Sequence, residues 1–272
     1  MGKDYGLVEL NDIKSLILDI DGILYEGMNA IPGAVELIED LNKHDTPYVL
    51  LSNNTTNTIE RHVQKLNQLN MHIPPKAIIT AARVAAQLIA NESPPGTCCL
   101  VIGEAGLIQA LQQAGLQVTQ SDNGDIKYVV IGMDRQLTYE KLKIAARAIH
   151  NGAIFISTNL DPMYMDSDGI IPASGAIQAA LETATGIPAR LTGKPEPPGF
   201  LLAMEQLGFP ACETGMLGDQ IEIDIRGASR VGIHTFLVLS TLSQFTLAKP
   251  GQIIADKTFN NTLDFYHQWI QR

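Results

Sequence analysis

The segment Ser15-Leu16-Ile17-Leu18-Asp19-Ile20-Asp21-Gly22 begins apolar and ends in two carboxylates and a glycine. A short apolar run bounded by a turn signal is the pattern of a strand buried on both faces, so Ser15 to Ile20 is read as one. In open parallel sheets, ligands bind outside the carboxyl ends of the strands. Asp19 and Asp21 therefore stand where such a sheet presents its chemistry.

The same alternation continues outward on both sides. Pro32 and Gly33 open a helix to about Leu41, Tyr48 to Leu51 is a strand, and Ile59, Val63 and Leu66 form a helical stripe. Far along the chain, Gly215 to Gly218 and Thr235 to Leu239 are strand-like, with a helix from about Ile225 between them. The middle carries its own set. Cys98–Ile102, Tyr128–Ile131 and Ile154–Ser157 read as strands. Leu107–Ala114, Leu142–His150 and Ala176–Thr185 read as helices, with Gly115 and Gly186 closing the first and last. Asn91–Gly96 and the proline-rich Lys194–Gly199 read as loops. The expectation is an α/β protein: a parallel sheet covered by helices, plus a middle block large enough to be a domain.

The chain has 272 residues and a net charge of −10, from 19 basic and 29 acidic residues. Such a surface does not attract nucleic acid or anionic lipid, and an anionic substrate needs local positive groups in its pocket. Cys98, Cys99 and Cys212 show no zinc spacing and are expected to be buried reduced thiols. Met1–Leu10 does not resemble a signal peptide, Gly6 breaks a myristoylation pattern, and no apolar run reaches the ~18 residues of a membrane span. A cytoplasmic location is expected.

The predicted strand ends share a chemistry. The first ends in Asp19 and Asp21, the second in Ser52-Asn53-Asn54, and the Gly215–Gly218 strand in Asp219, with Asp224 following. Clustered carboxylates repel unless a cation joins them, and oxygen donors without histidine or thiol suit Mg²⁺. A carboxylate can attack phosphorus, a second one two residues along can serve as acid and base, and a lysine such as Lys194 can neutralise the transferring group. Taken singly, each motif has a plainer explanation. Asp-Ile-Asp-Gly is a common strand end, Ser-Asn-Asn-Thr a turn or helix cap, and Gly193-Lys194-Pro195 a surface loop rather than a Walker loop. Four in fixed order, each at a strand end or loop, point to one site.

That ordered set resembles the haloacid dehalogenase superfamily, in its NagD-like, p-nitrophenyl phosphatase branch. The resemblance rests on Asp19-Ile20-Asp21-Gly22-Ile23-Leu24-Tyr25, Ile31-Pro32-Gly33-Ala34, Ser52-Asn53-Asn54, Leu137-Thr138-Tyr139, Thr158-Asn159-Leu160-Asp161, Ala180-Leu181-Glu182, Ala184-Thr185-Gly186, Gly193-Lys194-Pro195, Gly218-Asp219 and Asp224-Ile225. It implies a Rossmann-like core, residues 1–80 and 187–272, with an α/β cap inserted at 81–186. It implies a Mg²⁺-dependent phosphatase acting on small phosphate monoesters such as sugar phosphates or nucleotides, with pairing of caps into a homo-oligomer as a further possibility. Asp19 would be nucleophile and metal ligand. Asp21 would be the acid/base and a ligand through its main-chain carbonyl, Asp219 the third ligand, and Asp224 its support. Ser52, Asn53, Asn54 and Lys194 would hold phosphate. Ser52, Gln220 and Ile223 depart from the usual Thr, Arg and Thr, and the last two lie beside the metal motif.

Two other readings stay open from sequence: a non-catalytic phosphate-binding or regulatory protein descended from such an enzyme, and a phosphoacceptor signalling module. The latter class is smaller and lacks an inserted domain. Substrate choice is expected to lie in the cap, where Asn159 and Asp161 either bond substrate hydroxyls or only cap a turn.

Overall fold

The computed structural model describes residues 9–166, 169–240 and 254–272. They fall into two compact units. One takes the described residues of 1–52, 62–79 and 194–272; the other takes 53–61 and those of 80–193.

The first unit is built on a six-stranded sheet in the order Lys257–Phe259, His234–Val238, Thr214–Gly218, Ser15–Leu18, Tyr48–Ser52, Ile78–Thr80. The first five run parallel. The quoted segment is thus an inner strand, and Leu16, Ile17 and Leu18 are fully buried. Leu18 lies opposite both Leu217 and Leu50, so three neighbouring strands finish at one edge. Phe236, Phe259, Phe265 and Trp269 pack together with ring centroids 5.0 to 6.1 Å apart, which fastens the C-terminal helix Thr262–Trp269 to the sheet.

Some expected boundaries move. The first strand ends at Leu18, although the Asp19 amide still donates to Leu217 O at 2.9 Å. The Lys194–Gly199 loop is cut short by a helix from Pro197 to Leu207, because prolines in a first helical turn give up amides that have no partner there. The Asn91–Gly96 loop begins later than read, because Asn91 and Glu92 lie within the helix Ala81–Glu92. A π-helical turn, Ile221–Ile225, precedes the short helix Arg226–Arg230. Cys98 and Cys99 are buried, but Cys212 is exposed, because it sits in the short helical turn Ala211–Glu213 outside the sheet. All three cysteines are free.

In the helix Ile59–Gln68 the buried positions are His62 and Leu66, while Val63 is only half-buried. His62 is 1% exposed, and neither ring nitrogen has a hydrogen-bond partner. Burial, reinforced by the Lys65 ammonium, pushes its pKa from 6.5 down to about 4. The unfolded chain therefore binds a proton below about pH 6.5 that the folded protein refuses until about pH 4. Stability from this residue is complete above that window and falls as pH drops through it, by about 3 kcal/mol in all. His62→Leu removes two unsatisfied polar atoms at similar volume. It is expected to flatten the acid limb of the stability–pH curve between pH 6.5 and 4, measured by urea titration against the parent protein. Parallel curves for the two proteins would refute this account of His62.

The second unit has a five-stranded parallel sheet in the order Arg190–Leu191, Ile154–Ser157, Ile126–Ile131, Cys98–Ile102, Gln117–Thr119. Alternate residues feed two cores. Cys99, Val101, Tyr128, Val130 and Ile156 join residues from Ala81–Glu92 and Ala105–Gln113. Leu100, Ile102, Val129, Ile131 and Phe155 join residues from Tyr139–His150 and Ser174–Thr185. A two-residue side-chain period with helices on both faces explains why these strands look uniformly apolar in sequence. This unit extends beyond the expected 81–186. Arg190 and Leu191 pair with Ile156 and Ser157, which carries 187–193 into it, and residues 53–61 join it as well. An antiparallel hairpin, Met163–Asp166 with Gly169–Pro172, was not anticipated. Among the described residues no helix is long and apolar enough to cross a membrane.

Candidate active site

Asp19 leaves the end of its strand 4% exposed, and Asp219 leaves the neighbouring strand fully buried. Asp224, also fully buried, comes from the π-helical turn that follows. Lys194 ties the group together. Its Nζ donates to Asp19 Oδ1 and to Asp224 Oδ1, each at 2.6 Å. Asp19, Asp219 and Asp224 each offer an oxygen within 4.8 Å of the others.

Three carboxylates around one ammonium leave an excess of buried negative charge, and the electrostatics follow from that. Burial raises Asp19 well above the usual carboxylate range; Lys194 opposes this, and Asp224 and Asp219 add to it. Asp219 is pushed to about 7, by burial and then by Asp224. Burial alone would lower Lys194, but Asp19 and Asp224 more than offset it, so the ammonium is held above its ordinary range. Such a cluster is relieved by taking up protons or by a cation.

The oxygens are not equivalent. Asp224 uses Oδ1 on Lys194 and accepts the Gln220 amide on Oδ2 at 3.2 Å. Asp219 accepts from Ser240 Oγ on Oδ2 at 2.6 Å, while its Oδ1 is buried without a partner. A buried, orphaned carboxylate oxygen beside two further carboxylates, with no thiol or imidazole in the set, fits a hard divalent cation. Gly22 keeps the space open. Its φ is +87°, and a Cβ there would lie 2.4 Å from Asp219 Oδ2, so both backbone conformation and contact require glycine.

Asp21 follows in the turn, half-buried, with its carboxyl raised by burial and lowered in turn by Lys65 and Lys194. The Lys65 ammonium lies 3.6 Å from the centroid of the Tyr25 ring. Ser52, 2% exposed, ends the strand on the other side of Asp19. Asn53 and Asn54 begin the second unit. Asn54 Oδ1 accepts from the amides of Thr56 at 3.0 Å and Asn57 at 3.1 Å, which builds a turn. Asn53 Oδ1 is close to Gly193, where a Cβ would come within 2.9 Å of it. Asn159 is 5% exposed; its Nδ2 donates to Asn53 O at 2.9 Å and its Oδ1 accepts from the Asp161 amide at 3.2 Å. The Asn159 amide is thus used in joining two loops, while Asp161 is half-buried beside it.

Sequence reasoning missed Ser240 and Lys65. Ser240 had a usable signal, because it lies just past the Thr235–Leu239 strand, at the same kind of strand end as the other groups. Lys65 had none: it comes from a helix, and only the packing of that helix brings it to Tyr25. The Gln220 departure is also clearer. The bond to Asp224 comes from its backbone amide, which every residue but proline supplies.

A sequence model of haloacid dehalogenase-like hydrolases matches residues 16–117, and a HAD-hydrolase-like model matches 191–257. The chain is 37% identical over 234 residues to an acid sugar phosphatase of Staphylococcus aureus, covering 86% of this chain and 89% of that protein. NagD from E. coli K-12 superposes with a TM-score of 0.83 at 29% identity, over 93% of this chain and 98% of that one. A glycerol phosphate phosphatase from Mycobacterium tuberculosis, solved in complex with magnesium, superposes with a TM-score of 0.85 at 25% identity, over 96% of this chain and 77% of that one.

Proposed function

Since the chain belongs to the haloacid dehalogenase-like hydrolases, as a phosphatase resembling their NagD-like members, we propose that it hydrolyses small sugar or polyol phosphate monoesters with Mg²⁺, through an aspartyl-phosphate on Asp19. The observation that carries this reading is the pairing of Lys194 with Asp19 and Asp224 beside the orphaned Asp219 Oδ1. The two named phosphatases that act on sugar or glycerol phosphates support the substrate class.

In this mechanism an Asp19 carboxylate oxygen forms a bond to phosphorus as the bond to the leaving alcohol breaks. Asp21, whose raised pKa suits a carboxyl that must carry a proton, gives it to the leaving oxygen. Water then attacks the same phosphorus, Asp21 takes its proton, and Asp19 is released as carboxylate with free phosphate. Lys194 keeps Asp19 oriented and offsets charge on the transferring group. Ser52 and Asn53 would donate to phosphate oxygens. Asp19, Asp219 and the Asp21 carbonyl would hold Mg²⁺, with Asp224 bracing Lys194 and the Gln220 turn. When bound, the ion supplies positive charge that offsets the carboxylate excess and polarises the phosphate.

Two measurements test the proposal. Hydrolysis of p-nitrophenyl phosphate is expected to vanish on exhaustive chelation and to return with Mg²⁺, whereas Ca²⁺ restores it poorly, being larger and taking more ligands. Full activity in the metal-stripped protein would rule out the magnesium assignment. A phosphate-release screen across sugar phosphates, glycerol phosphates, nucleotides, phosphoglycolate and pyridoxal phosphate is expected to favour the first two classes. Phosphate binding without turnover on any ester would favour the non-catalytic reading instead.

A further inference from the structure

Asp219 divides its two oxygens between different surroundings. Ser240 Oγ donates to Oδ2 at 2.6 Å, the length of a hydroxyl bonded to a charged carboxylate. Oδ2 is also the oxygen closer to Gly22: a Cβ there would stand 2.4 Å from Oδ2 and 3.2 Å from Oδ1. Oδ1 is buried and has no hydrogen-bond partner. Asp219 as a whole is fully buried, so bulk water does not compete for either oxygen.

The backbone leading to Ser240 is held on two sides. Ser240 follows the strand His234–Val238, whose Leu237 lies opposite Gly218, the residue before Asp219. The Leu239 amide donates to Phe259 O at 3.0 Å, on the other neighbouring strand. A serine has one side-chain torsion, so a fixed backbone leaves its hydroxyl few places to go.

The neighbouring carboxylates are held by other means. Asp224 uses Oδ1 on Lys194 and Oδ2 on the Gln220 amide, and Asp19 gives Oδ1 to Lys194. Asp219 is oriented by a neutral hydroxyl instead, which fixes a carboxylate without cancelling its charge. The number of oxygens such a group can offer bears on ion choice. Ca²⁺ takes six to eight oxygens and accepts both oxygens of one carboxylate, whereas Mg²⁺ demands near-ideal octahedral geometry from fewer ligands. A carboxylate with one oxygen tied down suits the smaller ion.

We infer that Ser240 is a positioning residue that sets the preference of the site for Mg²⁺ over Ca²⁺, by holding Oδ2 of Asp219 and leaving Oδ1 for the cation. This role rests on the magnesium reading of the carboxylate cluster and adds to it a determinant of selectivity outside the ligand set.

The test is calorimetric titration of the chelator-stripped, full-length protein with Mg²⁺ and with Ca²⁺, for the parent, Ser240→Ala and Ser240→Thr. Ser240→Ala is expected to weaken Mg²⁺ binding about tenfold or more, because the carboxylate loses its fixed orientation. Ca²⁺ binding is expected to hold or tighten, since the released Oδ2 becomes available to the larger ion. The ratio of the two affinities should therefore fall by at least ~tenfold. Ser240→Thr keeps the hydroxyl and is expected to keep the parental ratio. A serine with only a structural role would lower the metal-free melting temperature and weaken both ions alike. An unchanged ratio in Ser240→Ala would overturn the role of Ser240, as would a ratio in Ser240→Thr as altered as in the alanine variant. A parent protein without saturable Mg²⁺ binding would overturn the magnesium reading and this role with it, whereas a parent that binds Mg²⁺ beside an unaltered Ser240→Ala variant overturns this role alone.

Discussion

Asp19→Asn is expected to lower kcat/KM for p-nitrophenyl phosphate by at least ~10³-fold, on the order of 4 kcal/mol of barrier. The amide keeps the shape of the side chain and can still accept from Lys194, whose Nζ lies 2.6 Å from Oδ1. It lacks the charge needed to attack phosphorus and is a weak ligand for a hard cation. The same substitution reduces the charge imbalance of the metal-free protein, since two carboxylates rather than three then face one ammonium. The melting temperature in chelator should therefore hold or rise while activity collapses, which separates a chemical role from a structural one. Acid-quenched parent enzyme is expected to carry phosphate on Asp19 by mass spectrometry. Phosphate on Ser52 or a histidine, or a variant within tenfold of the parent, would overturn the assignment of the nucleophile.

Lys194→Met should damage activity comparably and stability as well. The ammonium is 3% exposed and bonded to two carboxylates that are themselves buried. Removing one partner of a buried ion pair leaves the others uncompensated and costs about 3–5 kcal/mol. For a chain of this size that lowers the melting temperature on the order of 10 °C. Asp19 already has a raised pKa while Lys194 opposes the rise. Without the lysine it should carry a proton to still higher pH. The activity of the variant is therefore expected to be at least ~10³-fold down at neutral pH and to recover partly as pH rises. Added Mg²⁺ should restore part of the lost stability, because binding to the folded state replaces the missing charge. A variant with parental melting temperature in chelator would show that Lys194 does not hold the cluster together.

The outcome at individual residues shows where each kind of information resides. Cys98–Ile102 and Ile154–Ser157 were readable to the residue, because apolar runs bounded by turn signals carry the strand pattern locally. The helices Ala81–Glu92, Pro197–Leu207 and Thr262–Trp269 were not anticipated. The second starts with two prolines, which read as loop when only their breaking effect is weighed. The boundary at 186 moved because the Arg190–Leu191 strand is only two residues long and is defined by its pairing with Ile156 and Ser157. A strand that short has no period of its own to detect.

Within the site, sequence order was enough to nominate Asp19, Asp21, Lys194, Asp219 and Asp224, because parallel strands place their carboxyl ends at one edge and each motif lies at such an end or in a loop. Residue types alone also pointed to a kind of chemistry, since oxygen donors with one lysine suit a hard cation and a phosphoryl group. Tertiary structure decided how these groups pair. Lys194 bridges Asp19 and Asp224 across 175 and 30 residues of sequence, so neither bond has a local signature. Ser240 occupies one oxygen of Asp219 and leaves the other orphaned. Asn159, a candidate for reading substrate, spends its amide on Asn53 and Asp161. Local patterning sets which groups reach the strand ends; which oxygen meets which donor depends on distances between segments remote in sequence, and those exist only once the chain has packed.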